Sequence, residues 1–279
     1  MIVVRSPKKA HKICVNKKKK GKTIGFVPTM GALHKGHISL IKKCKDLCDF
    51  LVVSIFVNPT QFGPKEDFKA YPRDFKKDKK ICEEQGVDLI FYPRVKDMYP
   101  EGFETYVEVE KLPQHLCGLF RPGHFRGVAT VVLKLFNIIQ PDVAVFGKKD
   151  YQQLRVIEKM VRDLNVPVKI VGGQTVREKD GLAMSSRNWY LNEDERKRAT
   201  LLRKALLYGK KLLLQGRKPQ VVKTEMRKIL KKANGKIDYI SICDRFTLDE
   251  IKEFKKDCLI AVAVKIGRAR LIDNIEVEK

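Results

Sequence analysis

The sequence predicts an α/β protein: a doubly wound parallel-sheet domain over residues 1–175, followed by a smaller α+β domain over 176–279. Three observations carry this. Short, almost continuously apolar runs alternate with helical patterns through the first half, and such runs suit parallel strands covered on both faces. The texture changes near Asn192, where two long helical patterns precede several short strand patterns. The chain has 279 residues, enough for one large domain or two smaller ones.

In chain order, residues 23–29 read as a buried strand, followed by a Gly-containing turn and a helix over 36–48 with Ile38, Ile41 and Cys44 apolar. Residues 51–57 are the next strand, completing a right-handed βαβ unit. The charged stretch 62–85 contains a surface helix, and 89–92 and 105–109 are further strands. A helix covers 128–139, a strand 143–146, an amphipathic helix 150–164 and a last strand 168–171. In the second domain, helices cover 193–215 and 219–233, and strands 237–242, 259–266 and 268–272. In a doubly wound sheet ligands sit beyond the strand C-termini, so the residues after Val27, Val57, Phe146 and Val171 are the ones to inspect.

Composition narrows the class. Hydrophobic residues make up 43% and charged residues 33%, which excludes a disordered chain. No apolar run approaches the roughly 18 residues of a membrane span, and no membrane association is expected. Residues 1–9 show no h-region, so no signal peptide and a cytoplasmic location are expected. Seven scattered Cys fit reduced thiols better than a disulfide framework, with Cys44 and Cys48 as core thiols on one helix. The net charge of +25 admits a nucleic-acid binder. The excess is Lys spread along the chain rather than Arg interleaved with aromatics, so a solvated basic surface is preferred and no nucleic-acid partner is expected. The run Lys17 to Lys20 falls in a turn before a strand.

Four segments carry candidate chemistry. Met30-Gly31-Ala32-Leu33-His34-Lys35-Gly36-His37 joins a buried strand to a helix. A helix N-terminus offers N–H groups to a phosphate, and two imidazoles can donate to its oxygens as charge builds in a transition state. A zinc site is a weaker reading, because no third ligand lies nearby. Gln61, just after the second strand, can donate and accept toward a small hydroxy acid, or it is only a turn residue. Gly147-Lys148-Lys149-Asp150 again follows a strand, with Lys supplying positive charge and Asp150 as N-cap; Gln153 lies one turn on, placed to face the same pocket as Gln61. Finally, Val176 and Met184-Ser185-Ser186-Arg187 sit at the domain boundary, where hydroxyls and an Arg can clamp a triphosphate. Two further features stay open. The loop Arg121 to Arg126 either lines a pocket or caps a helix. Asp74 and Asp78 either touch a nucleotide-bound metal or merely solvate a helix.

Together these segments resemble the pantoate–β-alanine ligase family. The resemblance runs over 23–274 and includes Tyr71-Pro72-Arg73 and Ala269-Arg270-Leu271-Ile272-Asp273-Asn274. It implies a Rossmann-like first domain, a second domain that closes over the active site, and a homodimer. It also implies a Mg²⁺-dependent reaction in which pantoate and ATP form pantoyl adenylate, which β-alanine converts to pantothenate with release of AMP. Carried over, Met30 to His37, Gly147 to Asp150, Val176 and Met184 to Arg187 would bind ATP. His37, His34 and Lys149 would act on the phosphates, and Gln61 and Gln153 would hold pantoate. Two positions depart from the pattern: Lys148, where many relatives have a neutral or acidic residue, and Lys77, where some relatives carry an Asp implicated in metal binding. A protein ligand for Mg²⁺ is therefore left unassigned. The alternatives are a nucleotidyltransferase sharing the H-x-G-H logic and an RNA-binding protein.

Overall fold

The computed structural model describes residues 1–64 and 66–278. The chain divides into two compact units. One comprises residues 1–110, 121–148 and 153–174; the other comprises 111–120, 149–152 and 175–279. Two short stretches, 111–120 and 149–152, thus group with the later part of the chain.

The first unit is built on a six-stranded, all-parallel sheet of β1 (Ile2–Val4), β2 (Ile24–Thr29), β3 (Phe50–Ile55), β4 (Leu89–Phe91), β5 (Val143–Gly147) and β6 (Lys169–Gly173), in the order β1-β4-β3-β2-β5-β6. The order runs outward in both directions from β2, which makes the gap between the ends of β2 and β5 the switch point at which such sheets bind ligands. Both faces are covered. Val27, Leu51, Val53, Ile90 and Val145 pack with Ile41 and Cys44 of α2 (Lys35–Lys45) and Cys82 of α3 (Phe75–Glu84). The opposite face meets α1 (Pro7–Lys19) and α5 (His124–Ile139), with Phe136 edge-on to Phe26 and Phe146 at 6.3 Å each. Burial on both faces explains why β3 is apolar almost throughout. A short α4 (Val95–Met98) and α6 (Tyr151–Asp163) complete the first half.

In the second unit α7 (Glu193–Ala199), α8 (Leu201–Leu214) and α9 (Pro219–Lys231) precede an antiparallel sheet of β7 (Lys236–Asp244), β8 (Cys258–Ile266) and β9 (Ala269–Val277). Leu202, Leu206, Val222, Met226 and Leu230 share one core with Ile240, Ile260, Val262 and Val264.

Several expectations are corrected. Residues 105–109 form no strand: the Val107 N–H donates to Thr130 Oγ1 at 2.9 Å, and Tyr106 lies under the Arg126 guanidinium at 4.0 Å. Their β-propensity is overridden because the backbone is used by α5 instead of a neighbouring strand. The pattern over 193–215 is two helices broken at Thr200, whose hydroxyl donates to the Lys197 carbonyl at 2.7 Å and competes with the helical ladder. Strand β1 and helix α1 precede the first expected strand, although Ser6 as N-cap and Pro7 in the first turn are ordinary start signals. The lysine run is therefore the end of a helix, where cations oppose the negative pole of the macrodipole; Lys18 also pairs with Asp142 at 2.8 Å. Asp150 lies in a 3₁₀ turn over Lys148–Asp150 that leads into α6, with its carboxylate 3.7 Å from Lys149 Nζ.

Candidate active site

The loop after β2 is held by specific hydrogen bonds. Thr29 Oγ1 donates to the Ser54 carbonyl at 2.7 Å and accepts from the Gly31 N–H at 3.2 Å. Gly31 (φ 81°) and Ala32 (φ 50°) then turn the chain through the left-handed region. A Cβ on Gly31 would lie 2.8 Å from Asp78 Oδ2, so any side chain there would have to displace that carboxylate. The Ala32 and Leu33 N–H groups donate to Asp78 at 2.9 and 2.7 Å.

Helix α2 starts at Lys35 with His34 as its cap. His34 Nδ1 accepts from the Gly36 N–H at 3.1 Å, and His37 Nδ1 accepts from the His34 N–H at 3.3 Å. A ring nitrogen that accepts carries no proton, so both neutral imidazoles hold theirs on Nε2. The ring centroids are 4.1 Å apart, with the ring planes tilted by 37°, at the sheet's switch point. The sequence offered both the helix-terminal N–H groups and the two imidazoles to a phosphate. Of these, the Gly36 N–H is already used by His34. Lys35 is exposed and Leu33 is buried.

Gln61 is fixed on the same side of the sheet as Met30. Its Nε2 lies 3.1 Å from Met30 Sδ, and its Oε1 accepts from Asn58 Nδ2 at 3.2 Å. Its carbonyl accepts from His124 Nδ1 at 2.8 Å and from Arg121 Nη2 at 3.3 Å. Arg121 in turn grips Glu66 through two 2.7 Å bonds. Burial pushes the Glu66 carboxyl up, but Arg121 outweighs it and holds the group below its ordinary value. The basic loop thus anchors Gln61 rather than capping a helix. Gly127 permits this: a Cβ there would meet the Thr60 carbonyl at 2.3 Å. Gln153 is half-buried on α6, while the hydrogen bonds of Gln61 go to Asn58 and Met30.

Gly147 ends β5, paired with Gly173. In the second unit, the Lys149 carbonyl accepts from Asn274 Nδ2 at 2.8 Å. Val176 and Met184 are joined by a backbone bond of 3.0 Å across a hairpin turning at Gly181. Ser185 accepts from the Arg187 N–H at 3.2 Å and caps a 3₁₀ turn over Ser186–Tyr190, in which Ser186 is buried.

A family model described as pantoate-beta-alanine ligase matches residues 2–276. The chain belongs to the pantoate–β-alanine ligase family. It is 55% identical over 279 residues to a pantothenate synthetase of Sulfurihydrogenibium sp. (strain YO3AOP1), covering 99% of this chain and 100% of the relative. A crystal structure of the Thermus thermophilus pantothenate synthetase superposes with a TM-score of 0.96 at 45% identity, covering 100% of both chains. A pantoate–β-alanine ligase from Francisella tularensis, solved with β-γ ATP and β-alanine, superposes at 0.81 with 36% identity, covering 99% of this chain and 97% of that one. The chain is therefore a ligase.

Within this ligase the residue that sequence reasoning undervalued is Asp78. It reads as one acid among surface lysines, yet it is 2% exposed. Burial pushes its carboxyl above the ordinary value, against the pull of the Leu33 and Ala32 N–H groups. A signal existed: Phe75, Asp78 and Cys82 recur at helical spacing, which places the acid on the inward stripe of α3. Lys77 lies next to it, its N–H bonded to the N-cap Asp74 at 3.0 Å. Among the described residues no group of three His, Cys, Asp or Glu side chains is arranged to hold a metal ion, and no helix is long and apolar enough to cross a membrane.

Proposed function

We propose that this ligase condenses pantoate with β-alanine at the expense of ATP. The pantoate carboxylate attacks the α-phosphorus, the bond to the β-phosphate oxygen breaks, and pyrophosphate leaves. The β-alanine amine then attacks the acyl carbon of pantoyl adenylate, AMP leaves, and the amine proton passes to solvent or phosphate. The observation that carries the reading is the paired Nε2–H donors of His34 and His37 at the switch point of a family member's sheet.

Attack of one anion on another is slow because they repel. Donors placed before the reaction stabilise the growing negative charge without reorganising, an effect worth about 3–4 kcal/mol per donor in comparable sites. His34 and His37 take that role toward the α-phosphate, and Met30 to Gly36 line the nucleotide. Gly147, Lys148, Lys149, Asp150, Val176 and Met184 to Arg187 complete the ATP site, with Lys149 and Arg187 supplying cationic charge. Gln61 and Gln153 hold pantoate through its hydroxyl and carboxylate. Mg²⁺ enters as part of the substrate, carried on the triphosphate; the Asp78 carboxylate is already used by two backbone N–H groups. A homodimer in the cytoplasm completes the proposal.

The test is direct. Incubation with ATP, Mg²⁺, pantoate and β-alanine releases AMP only when both acids are present. A product that retains the nucleotide, or ATP turnover independent of pantoate, defeats the reading.

A further inference from the structure

We infer that Asp273 and Asn274, adjacent on β9, are positioning residues that hold both ATP-binding segments of the second unit to one strand. The inference rests on the proposed function. Neither side chain is assigned to a substrate, yet each reaches a different part of the nucleotide machinery. Asn274 Nδ2 donates to the Lys149 carbonyl at 2.8 Å and so fixes the backbone from which that lysine projects. Asp273, 3% exposed, accepts both terminal nitrogens of Arg177, at 2.7 and 2.9 Å. A bidentate pair of this kind fixes orientation as well as distance.

Arg177 lies in a hairpin. Its backbone bridges to Ala183, the Glu178 N–H donates to the Leu182 carbonyl at 2.8 Å, and the Met184 N–H donates to the Val176 carbonyl at 3.0 Å. The Arg177 Nη1 also reaches the Gly181 carbonyl at the hairpin tip, at 3.2 Å. Holding Arg177 therefore holds Val176 and Met184 and the start of the Ser185–Arg187 turn. The two holds are linked, because Asp273 Oδ1 also accepts the Asn274 N–H at 2.8 Å. Both residues sit in the middle of β9, paired with Val262 and Ala261 of β8, where the sheet gives them a rigid base. Segments separated by some thirty residues in the chain are thus set by two consecutive side chains.

The test is steady-state kinetics on Asn274→Ala and Asp273→Asn in the full-length chain, with thermal melts alongside. Each variant is expected to raise KM for ATP roughly tenfold, the ratio that about 1.4 kcal/mol produces, with KM for pantoate changed by less than about twofold. A merely structural role would lower the yield of folded enzyme and leave the ATP dependence of the folded fraction unchanged. Where Asn274→Ala does not fold, Asn274→Leu keeps about the same size, removes the donor without adding charge, and carries the same readout. Folded variants whose KM for ATP matches wild type, or whose KM values for ATP and pantoate rise together, overturn the inference. A wild-type chain that releases no AMP overturns the proposed function and this inference with it.

Discussion

Replacing Asp78 tests the scaffold of the H-x-G-H loop most sharply. Asp78→Ala removes the acceptor of two backbone N–H groups, that of Leu33, which is buried, and that of Ala32, which is partly so. An orphaned buried donor costs about 1–3 kcal/mol, and Ala32 can recover part of its share from water, so the loss is roughly 3 kcal/mol. Relief of burying a carboxylate, which burial already pushes toward its neutral form, trims that value without cancelling it. At about 2–4 °C per kcal/mol, the melting temperature falls by roughly 6–12 °C. Below that temperature Ala32, held at φ 50°, loses the bond that offsets its left-handed conformation. The loop carrying His34 and His37 then samples other conformers, and pantoate-dependent ATP–pyrophosphate exchange falls by about 10²-fold, as expected when a reacting group is misplaced by about 1 Å. Calorimetry and the exchange assay read the two effects separately. A variant that melts within about 1 °C of wild type and exchanges at more than about half its rate would refute the reasoning, since both numbers derive from the same two hydrogen bonds.

His37→Ala is expected to lower the adenylation rate by about 10²–10³-fold, read by the same exchange assay; unchanged exchange removes His37 from the chemistry. Arg121→Met leaves Glu66 without its partner and loosens the Gln61 carbonyl, so KM for pantoate rises several-fold while KM for ATP holds; equal shifts in both would contradict the anchoring role. Asp244 provides a pH test. Burial pushes its carboxyl up, but the Thr247 and Phe246 N–H groups and Lys256 outweigh that and hold it below its ordinary value. Its stabilisation is therefore present above the unfolded value near about pH 4 and is lost as pH falls through the lower folded value. Asp244→Asn should cost about 1 kcal/mol at pH 7, with the gap to wild type closing below about pH 4 in melts across pH; a gap independent of pH would contradict the assignment.

Much of the scaffold was legible because it obeys a period. Val27, Leu51 and Val53 announce a sheet covered on both sides, and the H-x-G-H segment follows such a strand, at the end where sheets of this kind bind ligands. What was hidden depends on side chains that act on distant backbone. Asp78 looks solvated in a run of lysines, and only its place between Phe75 and Cys82 betrays the inward turn. Arg121 and His124 cannot be told from a helix cap until Gln61, sixty residues earlier, is seen to accept from both. The terminal Asp273-Asn274 pair carries no local pattern, because its partners lie in two separate segments. The 105–109 run failed for the converse reason: strand-like residues whose backbone is engaged by a distant side chain, Thr130 of α5.

The interlocked imidazoles at the start of α2 have a thermodynamic consequence for catalysis. Each ring is tethered through Nδ1, which in the proposed role leaves Nε2 for phosphate, so neither can swing or exchange its tautomer without surrendering a main-chain bond. The torsional freedom of both side chains is given up when the polypeptide folds, long before a nucleotide arrives. Docking then freezes little that was mobile, and more of the attraction between protein and triphosphate remains to lower the barrier.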